Sequence, residues 1–293
     1  MSNFEYKYFK YKKKYLKLNN MYGGNIEIFF KKYIKKSDDL KEIGKGDGGI
    51  VYIDIKNPLS VYKISKKSNK CRIFNSEKNI YDNLNKHEID TDLCKLMKMK
   101  NFNNKTYNED TFCILELIRV INPINSQHYF TIHPTFSEQN RIESHPGRGI
   151  FLGLFELNKF GIIKNIDLEE YISQLGEIIG KLHFKVKCDT HDMEIFIGRE
   201  PITKKIILYL SDFDLSKMYI NSNDLKDEDI NKMSALFTEY IPTNEDIYDT
   251  SKSNPKLRKV FLDSYYKEAI INNEIDLANK IVNNYDNIVK YWY

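Results

Sequence analysis

A short glycine-rich segment constrains the fold of this 293-residue chain more than any other part of its sequence. Residues 44 to 51 read Gly-Lys-Gly-Asp-Gly-Gly-Ile-Val and match the pattern G-x-G-x-x-G-x-V. The residues that follow are β-branched and aromatic, which predicts a strand after the glycines. In a dinucleotide-binding fold the same glycines would open a helix, so the sequence disfavours that class. The segment therefore predicts two antiparallel strands joined by a glycine loop.

The glycines of such a loop let backbone N–H groups come close to phosphate groups. On this basis Gly44, Gly46, Gly49 and Val51 are candidate cofactor-binding residues. An ordinary glycine-rich hairpin with no ligand explains the same residues equally well. The loop alone leaves both interpretations open.

Two charged residues follow the loop at spacings that fit a phosphate site. Lys63 comes twelve residues after Val51, within the predicted strand Val61 to Ile64. Glu77 lies on the next predicted helix, Phe74 to Leu84, where its carboxylate can hold an ammonium group in place. Two solvated surface charges are the alternative, because 29% of the residues are charged. The order and spacing of the two residues favour an ion pair.

Glycine loop, strand lysine and helix glutamate in this order resemble the N-terminal lobe of the protein-kinase-like superfamily. The resemblance implies a second half with a long helix, a catalytic loop and an Asp-Phe-Gly type metal motif. An apolar stripe from Leu168 to Phe184 predicts such a helix. Asp189 and Glu194 follow it at the spacing of the catalytic loop, and Leu210 to Asp214 reads Leu-Ser-Asp-Phe-Asp. Each part of the pattern has a counterpart in the chain.

The resemblance also implies a role for each of these residues. Lys63, fixed by Glu77, would orient the phosphates of ATP, and Asp189 would accept the proton of an acceptor hydroxyl. Asp212 and Glu194 would bind Mg²⁺ on the phosphates. The implied activity is a phosphotransferase that uses Mg-ATP and an unknown protein or small-molecule acceptor.

The implied fold is α+β with two lobes, an antiparallel sheet plus a helix in the N-lobe and a mainly helical C-lobe. Glu116, in the apolar run Phe112 to Val120, is a further candidate ATP-binding residue. A shift to His, Pro, Ser and Asn after Pro123 indicates a connection between the lobes. The expected divisions are a leader at 1–25, the N-lobe at 26–122, a connecting loop at 123–149 and the C-lobe at 150–293.

Departures from the family pattern leave the activity open. The chain has no His-Arg-Asp and no Ala-Pro-Glu motif, and Glu194 and Asp214 replace the usual asparagine and glycine. In Leu182, His183, Asp192 and the Leu-Ser-Asp-Phe-Asp segment the chain resembles a little-characterised kinase-like family of fungi, whose members are often described as zinc-finger proteins. An inactive pseudokinase that serves as a binding or scaffold protein is the alternative function.

The segment Tyr6 to Gly24 interleaves lysine with tyrosine, phenylalanine and leucine and ends in Gly-Gly. It resembles leaders of proteins from large DNA viruses of amoebae, which implies a viral protein in the host cytoplasm or the virion. A basic helix with an aromatic face suits contact with a partner, nucleic acid or a membrane surface, and a solvated tail fits equally well. Cleavage after Gly24 is a further hypothesis.

Composition narrows the remaining classes of function. Lys+Arg 45 against Asp+Glu 41 gives a net charge of +4, which weakens a third interpretation, a nucleic-acid-associated virion protein. No apolar run reaches the length of about 18 residues that a membrane helix needs. Cysteines at positions 71, 94, 113 and 188 show no C-x-x-C pair and no spacing typical of a disulfide framework. We therefore expect a soluble protein of a reducing compartment.

Overall fold

The computed structural model describes residues 40–45, 48–56, 58–65, 70–107, 110–124, 132–134, 142–145, 149–163, 168–200, 202–241 and 254–291. The predictions for the leader 1–25, including cleavage after Gly24, and for Gly46 concern residues outside these ranges. The described residues form an α+β structure, which confirms the predicted fold class.

Eleven strands and six α-helices make up the described part of the chain. The strands are β1 (Leu40–Lys45), β2 (Gly49–Asp54), β3 (Ser60–Ser65), β4 (Cys94–Leu96), β5 (Met99–Tyr107), β6 (Asp110–Ile118), β7 (Ile132–Pro134), β8 (Ile142–His145), β9 (Gly149–Leu152), β10 (Glu194–Arg199) and β11 (Ile206–Ser211). The helices are α1 (Cys71–Leu84), α2 (Leu154–Lys159), α3 (Leu168–Gly180), α4 (Asp227–Tyr240), α5 (Pro255–Ile271) and α6 (Ile275–Tyr291).

Five strands form an antiparallel sheet in the order β1-β2-β3-β6-β5, which we call sheet A. Side chains alternate between the two faces of a strand, and residues paired across strands share a face. Val51, Lys63 and Leu115 are paired in this way and lie on the face that α1 covers. The opposite face carries a separate small core of Ile50, Tyr52, Ile64, Phe112 and Ile114. Sheet A therefore presents Lys63 toward the interior.

Helix α1 packs on sheet A through residues spaced three or four apart. Its buried side carries Phe74, Glu77, Ile80, Tyr81 and Leu84, together with Cys71 at its first turn. This confirms the predicted helix, which begins three residues earlier than its apolar pattern indicated. The helix thereby brings the Glu77 carboxylate into the interior, where carboxylates are rare unless they are paired.

A disulfide between Cys71 and Cys113 joins α1 to β6, with the two Cα atoms 5.2 Å apart. No local sequence pattern indicates this bond, because the two cysteines are 42 positions apart and the packing of α1 on sheet A brings them together. Cys94 and Cys188 are free and buried. The bond does not identify the compartment of the protein, so that expectation stays a prediction.

A second, mixed sheet, which we call sheet B, has the order β4-β11-β10-β7-β9-β8. Its centre is the β10–β11 hairpin, in which Glu194 lies opposite Ser211. Strands β7, β8 and β9 belong to or adjoin the segment 123–149, which the sequence analysis treated as a connecting loop. That interpretation was wrong for residues 132–134 and 142–145, because strands of three or four residues are too short to show an alternating pattern.

The remaining helices surround one extended apolar core. Asn254 caps α5 by accepting a hydrogen bond at 3.1 Å from the Leu257 N–H, and Pro255 occupies the first turn, as helix starts favour. α3 packs against α5, and α4 packs against α6. The predicted helical region after Leu225 is confirmed for the described residues. None of the described helices combines the length and apolar character needed to cross a membrane.

Candidate functional site

Lys63 contacts three carboxylates, which come from two different parts of the chain. Its Nζ lies 3.0 Å from Glu77 Oε2 and 3.4 Å from Asp214 Oδ2, and it also forms an ion pair with Asp212 Oδ1. β3 supplies the lysine, α1 supplies the glutamate, and the segment after β11 supplies both aspartates. We call these four residues the Lys63 cluster. The predicted Lys63–Glu77 ion pair is present, and Asp212 joins it from 149 positions away.

Burial and charge shape the protonation of the Lys63 cluster. Burial lowers the pKa of Lys63, but Asp212, Glu77 and Asp214 raise it more, so the pKa ends well above its usual value. Burial raises the pKa of Glu77 to about 7, although Lys63 opposes this shift. Burial also raises the pKa of Asp214. One ammonium therefore faces three carboxylates in a largely dry environment.

Two glycines of the predicted loop lie close to residues in or next to the Lys63 cluster. A Cβ on Gly48 would lie 3.4 Å from Asp214 Oδ2 and 3.9 Å from the Phe74 ring. A Cβ on Gly49 would lie 2.7 Å from the Ile64 carbonyl oxygen and 2.9 Å from the same ring. At Gly49 the hairpin can thus approach β3 and α1 closely only because this residue has no side chain.

Asp189 lies in a loop that is tied to the segment after Asp212. Its Oδ1 accepts hydrogen bonds from the backbone N–H groups of Lys217 at 2.7 Å and His191 at 3.2 Å. Its own N–H donates to the Lys217 carbonyl at 2.9 Å. Burial raises the pKa of Asp189, and the two backbone donors oppose that rise. The carboxylate is therefore buried and held in a fixed orientation.

Residues with positive φ are concentrated in the Asp189 loop and at Asp212, which directly follows β11. Six described non-glycine residues have positive φ, and four of them lie here: Lys187, Thr190, Asp192 and Asp212. Residues other than glycine rarely adopt this backbone conformation, and residues held in it tend to cluster at functional sites. The concentration around Asp189 and Asp212 supports a site at this place.

His183 links the Asp189 loop to the helical core. It sits in the π-helical turn Lys181–Val186 that continues α3, and its side chain is fully buried. One ring nitrogen lies 2.7 Å from the Tyr265 hydroxyl and the other 2.7 Å from Thr190 Oγ1. Burial lowers the pKa of His183 to about 3, so the ring is neutral at physiological pH. His183 is a positioning residue for the loop.

The two predicted metal ligands lie at one end of the β10–β11 hairpin. Glu194 begins β10 opposite Ser211, and Asp212 follows Ser211 directly. In the described part of the chain, no group of three or more His, Cys, Asp or Glu side chains is arranged to hold a metal ion. Mg²⁺ commonly binds one or two carboxylates plus substrate phosphates, so two carboxylates are compatible with it only if phosphate is present.

The structure separates one predicted residue from the others. Glu116 lies opposite Tyr62 on β3, so its side chain is on the other face of sheet A from Lys63. The structure thus places the Glu116 side chain away from Lys63, and the assignment of Glu116 to the ATP-binding set stays a prediction. The alternation of strand side chains explains this, because Leu115 is the residue paired with Lys63. Val51 shares the Lys63 face, and Gly44 lies opposite Val51 on β1.

Sequence reasoning missed three contributors to the site. Asp214 was treated as a replacement for a turn glycine, yet it contacts Lys63. Gly48 was not among the candidates, yet it lies against Asp214. The Lys217 backbone N–H holds Asp189, and no sequence signal could identify it because every residue except proline carries such a donor.

Comparison with known proteins does not identify a family. No protein-family model matches the sequence, and no curated protein matches it.

Proposed function

We propose that this protein binds Mg-ATP beside Lys63 and transfers the terminal phosphoryl group to an acceptor hydroxyl. The observation that carries the proposal is the Lys63 cluster, in which Lys63 meets Glu77 from α1 and Asp212 from the end of β11. A lysine held by a helix glutamate, next to an aspartate suited to Mg²⁺, is the arrangement that positions ATP phosphates in kinases.

In this proposal the chain has the two-lobed kinase-like architecture. Sheet A with α1 is the N-lobe, and sheet B with the remaining helices is the C-lobe. Support comes from the chain order, with the glycine hairpin and Lys63 on sheet A and with Asp189 and Asp212 beside sheet B.

The residues present fit a bound metal–nucleotide complex in two respects. Glu77 Oε1 is buried, and no described residue hydrogen-bonds to it, so the carboxylate side of the cluster has unused acceptor capacity. Gly48 carries no side chain where it faces Asp214, which lets the backbone of the hairpin approach phosphate oxygens there. Asp212 and Glu194 would hold the metal. Bound Mg-ATP would supply the phosphoryl group, and its Mg²⁺ would offset the negative charge of the phosphates.

Asp189 would act on the acceptor. The acceptor oxygen forms a bond to the terminal phosphorus, the bond to ADP breaks, and the acceptor proton passes to Asp189. The backbone donors from Lys217 and His191 fix the carboxylate in one orientation, which is what a positioned base needs. The raised pKa of Asp189 favours its taking up a proton.

A nucleotide-binding pseudokinase is the second candidate function. The observation that favours it is the contact between Lys63 and Asp214, which adds a third carboxylate to the site. Such a protein would bind Mg-ATP and show no transfer.

Calorimetric titration of ATP in Mg²⁺ tests the nucleotide site. We expect Lys63→Met and Asp212→Asn each to weaken binding by about 30-fold or more, because each removes a charged contact worth roughly 2 kcal/mol or more. Lys98→Ala is the matched control, since Lys98 is an exposed lysine of the same half of the chain. Circular dichroism and thermal melting of each variant verify that it is folded. Failure of the wild type to bind ATP at millimolar concentration would reject the proposal.

Transfer of labelled phosphate from ATP, to the protein itself and to a small-molecule panel, separates the two candidate functions. For the phosphotransferase we expect Asp189→Asn to keep ATP binding and to lower the transfer rate by about 10²-fold or more. Binding without transfer by the wild type would establish the pseudokinase instead.

A further inference from the structure

Asp214 occupies an unusual position between the glycine hairpin and Lys63. The same oxygen, Oδ2, lies 3.4 Å from Lys63 Nζ and would lie 3.4 Å from a Cβ placed on Gly48. The carboxylate therefore fills the space between the lysine ammonium and the backbone of the hairpin. That is the space where a phosphate group would have to sit to contact both.

The contact is too well covered to be an incidental surface pair. The Asp214 side chain is 16% exposed and the Lys63 side chain is 10% exposed, whereas Asp212 is 35% exposed. An ion pair at this depth is screened little by water or salt, so its partner charges strongly influence one another. An anion that binds between Lys63 and Gly48 must therefore compete with Asp214 for that space.

Charge counting shows what Asp214 adds to the Lys63 cluster. Glu77 and Asp212 already supply two carboxylates to one ammonium, and Asp214 makes three. A free polyphosphate would bring further negative charge into this group and would be repelled. A divalent cation that arrives with the polyphosphate offsets that repulsion.

We propose that Asp214 takes the place of a nucleotide phosphate on Lys63 and must be displaced before nucleotide binds. This inference rests on the proposed nucleotide site and adds a specificity-determining residue to it. Asp214 weakens the binding of free nucleotide or polyphosphate, and it makes binding depend more strongly on a divalent cation. The aspartate in place of a turn glycine thus selects the metal complex over the free anion.

Titration calorimetry with two probes, tripolyphosphate and ATP, tests the inference, first in EDTA and then in Mg²⁺. The variants are Asp214→Asn, which keeps the side-chain shape, and Asp214→Ser, which shortens it. Glu228→Gln is the control for net charge, because Glu228 is an exposed carboxylate on α4 outside the Lys63 cluster. Melting temperatures without ligand verify that each variant is folded.

In EDTA we expect both Asp214 variants to bind each probe about tenfold more tightly than the wild type, since one buried like charge has been removed. Glu228→Gln should match the wild type within about twofold, because an exposed charge is screened. In Mg²⁺ the gap between variants and wild type should shrink to about threefold or less.

Unchanged or weaker binding by both Asp214 variants in EDTA would overturn the inference. So would a loss of binding by these variants in Mg²⁺ alone, which would make Asp214 a metal ligand instead. In both cases wild-type binding of Mg-ATP would leave the proposed function standing. Absence of binding by every protein under both conditions would reject the nucleotide site, and with it the role of Asp214.

Discussion

Glu77 and His183 are buried titratable residues whose pKa values are shifted in opposite directions. Glu77 is a carboxylate made easier to protonate, with a pKa of about 7, and His183 is an imidazole made harder to protonate, with a pKa of about 3. In both cases burial disfavours the charged form. The two shifts make opposite contributions to the pH dependence of stability, and these can be measured separately.

Replacement of Glu77 by glutamine should remove a loss of stability that occurs as pH rises. The folded-state pKa lies above the ordinary value of 4.5, so the contribution of Glu77 is fully present below that value and is lost as pH rises through about 7. We expect the free energy of unfolding of the wild type, relative to Glu77→Gln, to fall by about 1–3 kcal/mol between pH 4.5 and 8. Urea unfolding at several pH values measures this difference. A difference that stays constant or grows with pH would contradict the assignment.

His183 should make the protein sensitive to acid. Its folded-state pKa lies below the ordinary value of 6.5, so its contribution to stability is present above that value and is lost as pH falls toward 3. The stability advantage of the wild type over His183→Gln should shrink by roughly 2–3 kcal/mol between pH 7 and 4. His87→Gln is the control, because His87 is exposed. Equal pH profiles for wild type and His183→Gln would show that His183 is not buried in neutral form.

The geometry of the β1–β2 hairpin depends on a single glycine, Gly49. Gly49 pairs with Ser65 on β3, and its missing Cβ leaves room for the Ile64 carbonyl and the Phe74 ring. A Cβ on Gly48 would make only ordinary contacts. The two adjacent glycines therefore form a natural pair of test and control positions.

Gly49→Ala should destabilise the protein by about 1–3 kcal/mol, because a methyl group would overlap backbone that cannot move freely. Gly48→Ala should cost less than about 1 kcal/mol. Chemical denaturation of both variants provides the comparison. Similar losses at the two positions would argue against the close approach of β2 to β3 and α1.

Some elements could be predicted from sequence because their patterns are local. The α1 stripe follows the helical period of 3.6 in apolar residues. The β10–β11 strands and the strands around Lys63 are short runs rich in β-branched and aromatic residues. β5 could not be predicted in this way, because Met99–Tyr107 is mostly polar and is held by pairing with β6. The short strands of sheet B exist through pairing with neighbours distant in sequence, which no local pattern records.

At the scale of the whole molecule, the candidate site arises where sheet A and the β10–β11 segment meet. Lys63 could be identified from its spacing after the glycine loop in the sequence, and Asp212 from the Leu-Ser-Asp-Phe-Asp motif that contains it. The contact between Asp214 and Lys63, and the position of Glu116 on the opposite face of sheet A, could not be recognised from sequence spacing. The Cys71–Cys113 bond was missed for the same reason, since it depends on how α1 packs. Long-range contacts complete the site, and sequence spacing specifies only some of its members.

Affinity labelling tests the central claim, a nucleotide site at Lys63, most directly. An ATP analogue with a lysine-reactive acyl group on its terminal phosphate is incubated with the protein in Mg²⁺, and mass spectrometry locates the modified lysines. We expect Lys63 to be the principal labelled residue and excess ATP to protect it, while exposed lysines such as Lys98 show no protection. Labelling spread over exposed lysines, with Lys63 unmodified or insensitive to ATP, would contradict the nucleotide site.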